Sequence, residues 1–262
     1  MKKLPLFVGT GTAMITPFNK DGLIDFESLK RLTEIQLKAG VGALIMCGTT
    51  GEASTLEREE RREIIGFIKD FVKNDCTVIA GTGSNDTKKA VMFTKDACDA
   101  GADGILAVTP YYNKTTQNGI IRYYEEICGA SPLPVIAYNV PSRTGVNILP
   151  QTAYEISKIE NMYGIKEASG NMGQITETKY RCGNGMHLYS GSDEINLPIL
   201  SVGGIGIISV VSNAVPEKNA GNVQQMVRRR YSGSVTDTAF TDALDKTAFF
   251  ICKSHSHKEI FI

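Results

Sequence analysis

Short apolar segments recur along the chain and alternate with longer segments in which apolar positions follow a helical spacing. The short segments predict buried strands, and the longer ones predict amphipathic helices. The predicted strands span residues 8–15, 41–46, 77–80, 104–108, 134–138, a segment within 162–170, 187–190 and 205–211. The predicted helices span residues 26–39, 56–72 (with a capping box at Ser54 and Glu57), 86–100, 117–129, a segment from 149–150 onward, 172–181 and 216–230.

Eight strands that alternate with helical segments define the predicted architecture. Strands in such an alternation are usually parallel and covered by helices on both faces. The chain has 262 residues, close to the roughly 250 that are typical of one closed α/β barrel. The pattern therefore favours a (β/α)8 TIM barrel over an open, doubly wound sheet.

Lys166 stands inside an apolar run that is predicted to be the sixth strand. An ammonium group there must reach water at the strand end, form an ion pair or serve chemistry. A partly desolvated lysine has a lowered pKa and can attack a carbonyl to form a Schiff base. Lys166 is thus a candidate nucleophile, although a strand-end lysine exposed to water is the simpler interpretation of this residue alone.

Other polar side chains follow the strands at the end where barrel active sites lie. They are Thr49 and Thr50 after the second strand, Tyr111 and Tyr112 after the fourth, and Tyr138 and Arg143 after the fifth. Singly, the threonines fit a turn, the tyrosines fit interface packing and the arginine fits a solvated loop. Together with Lys166 they supply an amine, proton-carrying hydroxyls and a guanidinium suited to a carboxylate. This set predicts carbon–carbon bond chemistry through an imine of a small keto acid.

Charge and composition exclude several other function classes. Lysine plus arginine and aspartate plus glutamate both number 28, so we expect neither a nucleic acid nor a membrane as partner. The six cysteines form no C-x-x-C pair, and two of the three histidines lie in the last eight residues. We therefore expect a cytoplasmic protein with reduced thiols and no metal site. The glycine runs at 81–83 and 203–206 do not complete a dinucleotide fingerprint, so no cofactor is expected.

Four motifs resemble those of the dihydrodipicolinate synthase family, within the N-acetylneuraminate lyase superfamily. They are Gly-Thr-Thr-Gly-Glu at 48–52, Tyr-Tyr-Asn at 111–113, Tyr-Asn-Val-Pro-Ser-Arg-Thr-Gly at 138–145 and Gly-Ile-Lys-Glu-Ala-Ser-Gly at 164–170. The resemblance implies a lyase that condenses pyruvate with aspartate semialdehyde on the diaminopimelate route to lysine. It also implies a homodimer or homotetramer.

The resemblance assigns a role to each candidate residue. Lys166 would form the pyruvate imine and then its enamine. Tyr138 would be the central proton-transfer residue, linked by hydrogen bonds to Thr49 and to Tyr112 of a neighbouring subunit. The backbone around Thr49 and Thr50 would hold the pyruvate carboxylate, and Arg143 would hold that of the aldehyde. Two further residues match positions that line the pocket, namely Gly191 and Ile208.

The chain departs from the family in two places. After Pro216 the resemblance is expected to fade, so residues 1–230 are predicted to form the catalytic barrel and 231–262 a truncated remnant of a C-terminal helical domain. A frameshift near the end is the proposed cause. Where some relatives place an acidic residue that binds inhibitory lysine, this chain has Lys89, beside the matching Asn85 and Tyr111. Because like charges repel, inhibition by lysine is predicted to be weak or absent.

Other functions remain open from the sequence. The nearest is another pyruvate-dependent aldolase, of the N-acetylneuraminate or ketodeoxygluconate type, which would share the lysine and the tyrosine. Arg143 and the Tyr111–Tyr112 pair favour the synthase, because a sugar substrate needs hydroxyl partners more than a guanidinium. A barrel that binds a keto acid without catalysis, and an inactive truncated chain, are the remaining alternatives.

Overall fold

Eight parallel strands form a closed barrel in which each strand pairs with the next along the chain and β8 closes on β1. This architecture comes from a computed structural model, which describes residues 3–232, apart from the side chains of residues 222, 224 and 228–232. The strands are β1 Gly9–Ala13, β2 Ala43–Met46, β3 Thr77–Gly81, β4 Gly104–Val108, β5 Val135–Asn139, β6 Met162–Glu167, β7 His187–Ser190 and β8 Gly206–Ser209. The predicted (β/α)8 barrel is confirmed.

Helices follow the strands and cover the outside of the barrel. They are α1 Phe26–Lys38, α2 Arg58–Val72, α3 Thr87–Asp99, α4 Gln117–Gly129, α5 Pro141–Thr144, α6 Pro150–Ser157, α7 Met172–Cys182, α8 Asn196–Ser201 and α9 Pro216–Ser232. Two single 3₁₀ turns, Asp193–Ile195 and Val211–Asn213, lie after β7 and β8. The predicted extension at 233–262, with its proposed frameshift, lies outside the described residues.

Short polar side chains at the N-cap fix the starts of α1, α3, α4 and α7. The Asp25 carboxylate accepts a hydrogen bond from Ser28 N (2.9 Å), and the Asp86 carboxylate accepts one from Lys88 N (2.9 Å). Such bonds satisfy amide groups that have no partner within the helix. The predicted capping box at Ser54 is wrong. The helix begins at Arg58, and its N-cap Glu57 donates its amide to Glu60 Oε2 (2.8 Å).

Alternation along the strands separates two buried layers. Leu44 and Met46 of β2 join the larger apolar cluster, which the helices complete, whereas Ala43 and Ile45 join a smaller one. Because successive strand side chains point to opposite faces, the smaller cluster fills the barrel. Its buried members are Phe7, Ala13, Ala43, Ile45, Ile79, Leu106, Ile136, Tyr138, Val140, Tyr189 and Ile208. The interior is therefore a packed core, and a pocket can form only at its ends.

Candidate active site

Lys166 projects into the barrel near the C-terminal ends of the strands. Its strand neighbour Ile165 packs in the outer layer, and Lys166 therefore faces inward, beside Tyr138 in the register of β5 and β6. The Lys166 side chain is 5% exposed, and its Nζ lies 4.0 Å from the centroid of the Tyr138 ring. The sequence-based candidates for nucleophile and proton carrier are thus brought into direct contact.

The surroundings of Lys166 favour a neutral amine. Burial lowers its pKa from 10.5 to about 7, Asp193 acts in the opposite direction, and the positive charge of Arg143 lowers it further. Desolvation dominates because an ammonium loses its hydration when it leaves water. A substantial fraction of Lys166 is therefore unprotonated at neutral pH, which is the form that attacks a carbonyl.

Tyr138 is 7% exposed, and burial raises the pKa of its phenol, an effect that the Arg143 charge partly offsets. The hydroxyl therefore keeps its proton at neutral pH and can donate it. The predicted hydrogen bond between Tyr138 and Thr49 is not among the hydrogen bonds found within residues 3–232. Thr49 is exposed on its loop, and Thr50 is half-buried.

The loop after β2 is held in a tight turn beside the barrel mouth. Gly51 N and Ala53 N both donate to Gly48 O, at 3.1 and 3.2 Å. Within the described part of the chain, no hydrogen bond uses the backbone amides of Thr49 or Thr50. Two adjacent amides without an internal acceptor can bind a carboxylate.

A close approach of β3 supports this loop. A Cβ on Gly81 would collide with the backbone of Cys47, where the loop begins. Arg61 of α2 then joins the two segments, donating to Gly81 O (2.6 Å) and to Ala53 O (2.9 Å). The position of the loop is thus set by its contacts with β3 and by the Arg61 side chain of α2.

Arg143 lies at the mouth on the short helix α5. The helix begins with Pro141 and ends at Thr144, and its C-cap Gly145 adopts a left-handed conformation with φ of 68°. The buried Thr144 hydroxyl donates to Val140 O and to Val146 O, which anchors the turn from both sides. Arg143 itself is exposed, and its charge acts on both Lys166 and Tyr138.

Gly191 lies directly against the Lys166 side chain. A Cβ on Gly191 would stand 2.9 Å from both Cγ and Cε of Lys166, so the lysine chain occupies the space that a larger residue would need. Ile208 is buried on β8 in the cluster that fills the barrel. Gly191 thus contacts the lysine, and the assignment of both residues to the pocket wall stays a prediction.

Tyr112 is not brought into the pocket of its own chain. Its side chain is 89% exposed, and its φ of 69° is unusual for a residue other than glycine. Tyr111 is half-buried. The neighbouring Asn113 Nδ2 donates to Asn85 O (3.1 Å), which ties this loop to the one after β3. Delivery of Tyr112 to a neighbouring subunit stays a prediction.

Lys89, at the position where some relatives bind inhibitory lysine, is exposed on α3. Weak inhibition by lysine stays a prediction.

Asp193 was not among the residues proposed from the sequence. Its Oδ2 accepts hydrogen bonds from Val210 N (3.0 Å) and Val211 N (3.1 Å), joining the segments that leave β7 and β8. Its negative charge raises the pKa of Lys166. A carboxylate at a strand end was the available signal, because such ends carry the site in barrels of this type.

The chain matches known proteins over the residues of the candidate site. The sequence profile described as "Dihydrodipicolinate synthetase family" matches residues 6–244, which include every candidate site residue. The chain belongs to this family. The match continues beyond Pro216, where the sequence predicts that the resemblance fades. The boundary between residues 230 and 231 stays a prediction.

Individual members of the dihydrodipicolinate synthetase family are similar to the chain in sequence and in structure. A 4-hydroxy-tetrahydrodipicolinate synthase of Caldicellulosiruptor saccharolyticus is 52% identical over 215 residues, which are 82% of this chain and 72% of the relative. The crystal structure of dihydrodipicolinate synthase from Thermotoga maritima has a TM-score of 0.89 at 37% identity, covering 97% of this chain and 85% of that one. The chloride-inhibited enzyme from Acinetobacter baumannii, complexed with pyruvate, has a TM-score of 0.87 at 36% identity, covering 95% and 85%.

Residues 3–232 were compared with the requirements of a metal site and of a membrane-spanning helix. No cluster of three or more histidine, cysteine, aspartate or glutamate residues in this range could hold a metal ion. No helix in the same range is long and apolar enough to cross a membrane.

Proposed function

We propose that the protein condenses pyruvate with aspartate semialdehyde to form 4-hydroxy-tetrahydrodipicolinate. The observation that carries the proposal is the buried amine of Lys166, with a pKa of about 7 and its Nζ 4.0 Å from the Tyr138 ring. Membership of the family and the relatives named as this synthase support it. The reaction is that of a lyase acting through a Schiff base.

The first stage is formation of an enamine. The Lys166 amine attacks C2 of pyruvate, and the carbinolamine loses water to form an imine. Removal of a proton from the pyruvate methyl group then gives the enamine. Tyr138 carries the protons in both steps. Its phenol, protonated at rest and beside the amine, protonates the departing hydroxyl of the carbinolamine, and the phenolate left behind takes the methyl proton. The packed barrel below the pocket keeps water from the reactive enamine.

The second stage joins the two substrates. The enamine carbon attacks the aldehyde carbon of aspartate semialdehyde, and a new carbon–carbon bond forms while Tyr138 protonates the resulting alkoxide. The amino group of the former aldehyde then attacks the imine carbon, closing the ring and releasing the Lys166 amine. One water molecule leaves overall, at imine formation.

Two groups are assigned to the substrate carboxylates. The unpaired amides of Thr49 and Thr50 bind the carboxylate of pyruvate. The exposed guanidinium of Arg143 binds that of the aldehyde, because its planar fork matches a carboxylate in a bidentate manner. An aldolase for sugar acids would share Lys166 and Tyr138, and Arg143 is the residue that favours the synthase over it.

The assembly proposed is a homodimer or homotetramer in which Tyr112 completes the site of a neighbouring subunit. Its side chain is 89% exposed in the single chain and lies on the loop after β4, at the end of the barrel where the pocket opens. Burial of such a tyrosine against a second copy would satisfy both its apolar ring and its hydroxyl.

Trapping of the imine tests the proposal. Pyruvate and borohydride are added to the purified protein, and peptide mapping should locate the reduced adduct on Lys166. The Lys166→Arg variant is the control and should acquire no adduct at this peptide. Aspartate semialdehyde should then be consumed faster than N-acetylmannosamine or glyceraldehyde. A folded protein without an adduct would contradict the proposal, and preference for a sugar aldehyde would favour the aldolase.

A further inference from the structure

A buried polar pair lies directly behind the two central residues of the site. Asn139 and Glu167 are register partners at the ends of β5 and β6, one residue after Tyr138 and Lys166 respectively. Because strand side chains alternate between faces, the pair points outward, away from the pocket. Both side chains are fully buried. A buried carboxylate is costly unless it is hydrogen-bonded, so its partners explain how it is tolerated.

Glu167 is surrounded by hydrogen-bond donors. Asn139 Nδ2 lies 3.0 and 3.1 Å from its two carboxylate oxygens, and Ser169 N donates to Oε1 at 2.8 Å. Burial raises the pKa of Glu167, and these hydrogen bonds act in the opposite direction. Among the side chains that the structure describes, no lysine or arginine forms an ion pair with it. The carboxylate thus joins the end of β5 to the turn that leaves β6.

Asn139 extends the connection to a third segment. Its Nδ2 also donates to Asn147 Oδ1 (2.9 Å), and its Oδ1 accepts from Ile148 N (2.9 Å). Asn147 and Gln174 of α7 are joined by two further hydrogen bonds, at 2.7 and 3.1 Å. The segment held in this way follows α5, the short helix that carries Arg143.

We propose that Glu167 and Asn139 are positioning residues, which hold Lys166, Tyr138 and the Arg143 segment in their reactive arrangement. The inference rests on the proposed function. An apolar pair would fill the same space at a lower desolvation cost. A fully satisfied polar network instead fixes one strand register and one loop position. Such precision matters because a displacement of about 1 Å can slow a reaction roughly 100-fold.

Glu167→Gln tests the pair with little change of shape. One amide oxygen can still accept from Ser169 N, but the new NH₂ group then faces Asn139 Nδ2, so two donors oppose each other. The expected result is a fall of about 10- to 100-fold in kcat. KM for pyruvate should change far less, because its carboxylate binds at the loop after β2. The rate of imine trapping by borohydride should fall with kcat.

Asp103→Asn is the matched control at the opposite end of the barrel. Asp103 precedes β4, and its carboxylate also accepts a backbone amide, from Val78 (2.8 Å), together with Lys69 Nζ (2.6 and 2.8 Å). The same exchange of carboxylate for amide should lower the melting temperature while kcat per folded molecule stays unchanged. If Glu167→Gln lowered kcat only because it destabilises the protein, Asp103→Asn would lower kcat as well.

Asn147→Ala provides a second test should Glu167→Gln fail to fold, since Asn147 is only half-buried. It releases the Arg143 segment, and KM for the aldehyde should rise several-fold while pyruvate trapping stays normal. The inference is overturned if a folded Glu167→Gln keeps the parent kcat, or if Asn147→Ala leaves the aldehyde KM unchanged. Absence of any pyruvate adduct in the parent protein would instead overturn the proposed function, and the inference with it.

Discussion

The protonation of one side chain governs the proposed chemistry. Lys166 is almost fully buried, and desolvation lowers its pKa to about 7. Asp193 and Arg143 act on it in opposite directions, so neither charge alone sets the value. An amine that is half-deprotonated near neutral pH combines nucleophilicity with the ability to return to the protonated form.

The same burial should cost stability. Since the folded-state pKa of about 7 lies below the ordinary 10.5, the unfolded chain binds more protons between these values, and stability rises with pH across this window. Lys166→Met removes the buried ammonium, so we expect it to stabilise the fold at pH 6 by about 1–3 kcal/mol. The gain should shrink towards pH 9. Urea unfolding at both pH values measures it, and parallel pH dependence of parent and variant would refute the explanation.

The space beside Lys166 depends on the missing side chain of Gly191. In Gly191→Ala the new methyl would lie 2.9 Å from two lysine carbons, so the lysine must move. We expect pyruvate trapping to slow by about 10- to 100-fold, since reacting atoms need close alignment. Gly129→Ala is the control, because a Cβ there meets nothing within 4 Å, and it should trap pyruvate at the parent rate. Equal rates in both variants would show that Gly191 is not needed.

At the scale of the elements, α5 is the part of the site that the sequence pattern did not predict. A helix of four residues is too short to show a hydrophobic period. By contrast, the bounds of β4, α4 and β7 agree with the prediction, because each is a clear apolar or amphipathic run between turn residues. The predicted eighth strand extended to Val211, but β8 ends at Ser209 and a 3₁₀ turn follows. The apolar run continues through Val210 to Val211, the first residue of the turn, and hides the end of the strand.

The interactions between elements were also beyond the sequence. The sequence alone identifies Lys166 and Tyr138 as site candidates, because a polar residue stands out within an apolar strand. The bond from Asn139 to Glu167 joins two strands whose register depends on an irregularity between Val135 and Ile136. No local pattern reveals which side chains such a register makes neighbours.

Arg143 on α5 should affect the second substrate more than the first. Arg143→Ala is expected to raise KM for aspartate semialdehyde about 10- to 100-fold, because a hydrogen bond to a charged group is lost. Pyruvate trapping should continue, with its pH midpoint shifted upward, since the charge that lowers the pKa of Lys166 is gone. Arg122→Ala, which alters an exposed arginine on α4, should change neither quantity. Steady-state kinetics with each substrate varied in turn measures both KM values. A rise confined to the KM for pyruvate would contradict this role.

At the scale of the whole molecule, the exposed Tyr112 connects assembly with catalysis. If Tyr112 of one subunit serves the site of another, a Tyr112→Phe chain paired with a Lys166→Arg chain contains one complete site. We therefore expect mixing of the two weakly active variants, after dissociation and reassembly, to restore activity. With random pairing, half of the dimers are mixed, and half of the sites in each mixed dimer are complete. The mixture should therefore reach roughly a quarter of the parent rate per chain.

The self-paired variants, treated in the same way, are the controls for this complementation. Activity no higher than the mean of the two controls, in a mixture shown by mass to contain mixed oligomers, would mean that Tyr112 does not act across the interface. Its exposure would then require another explanation.

The pH dependence of imine formation shows whether burial activates Lys166. The rate of adduct formation at Lys166, with subsaturating pyruvate and borohydride trapping, should follow the unprotonated fraction of the amine. The predicted midpoint lies near pH 7. A rate that keeps rising to about pH 10, where an ordinary lysine titrates, would show that burial does not activate Lys166.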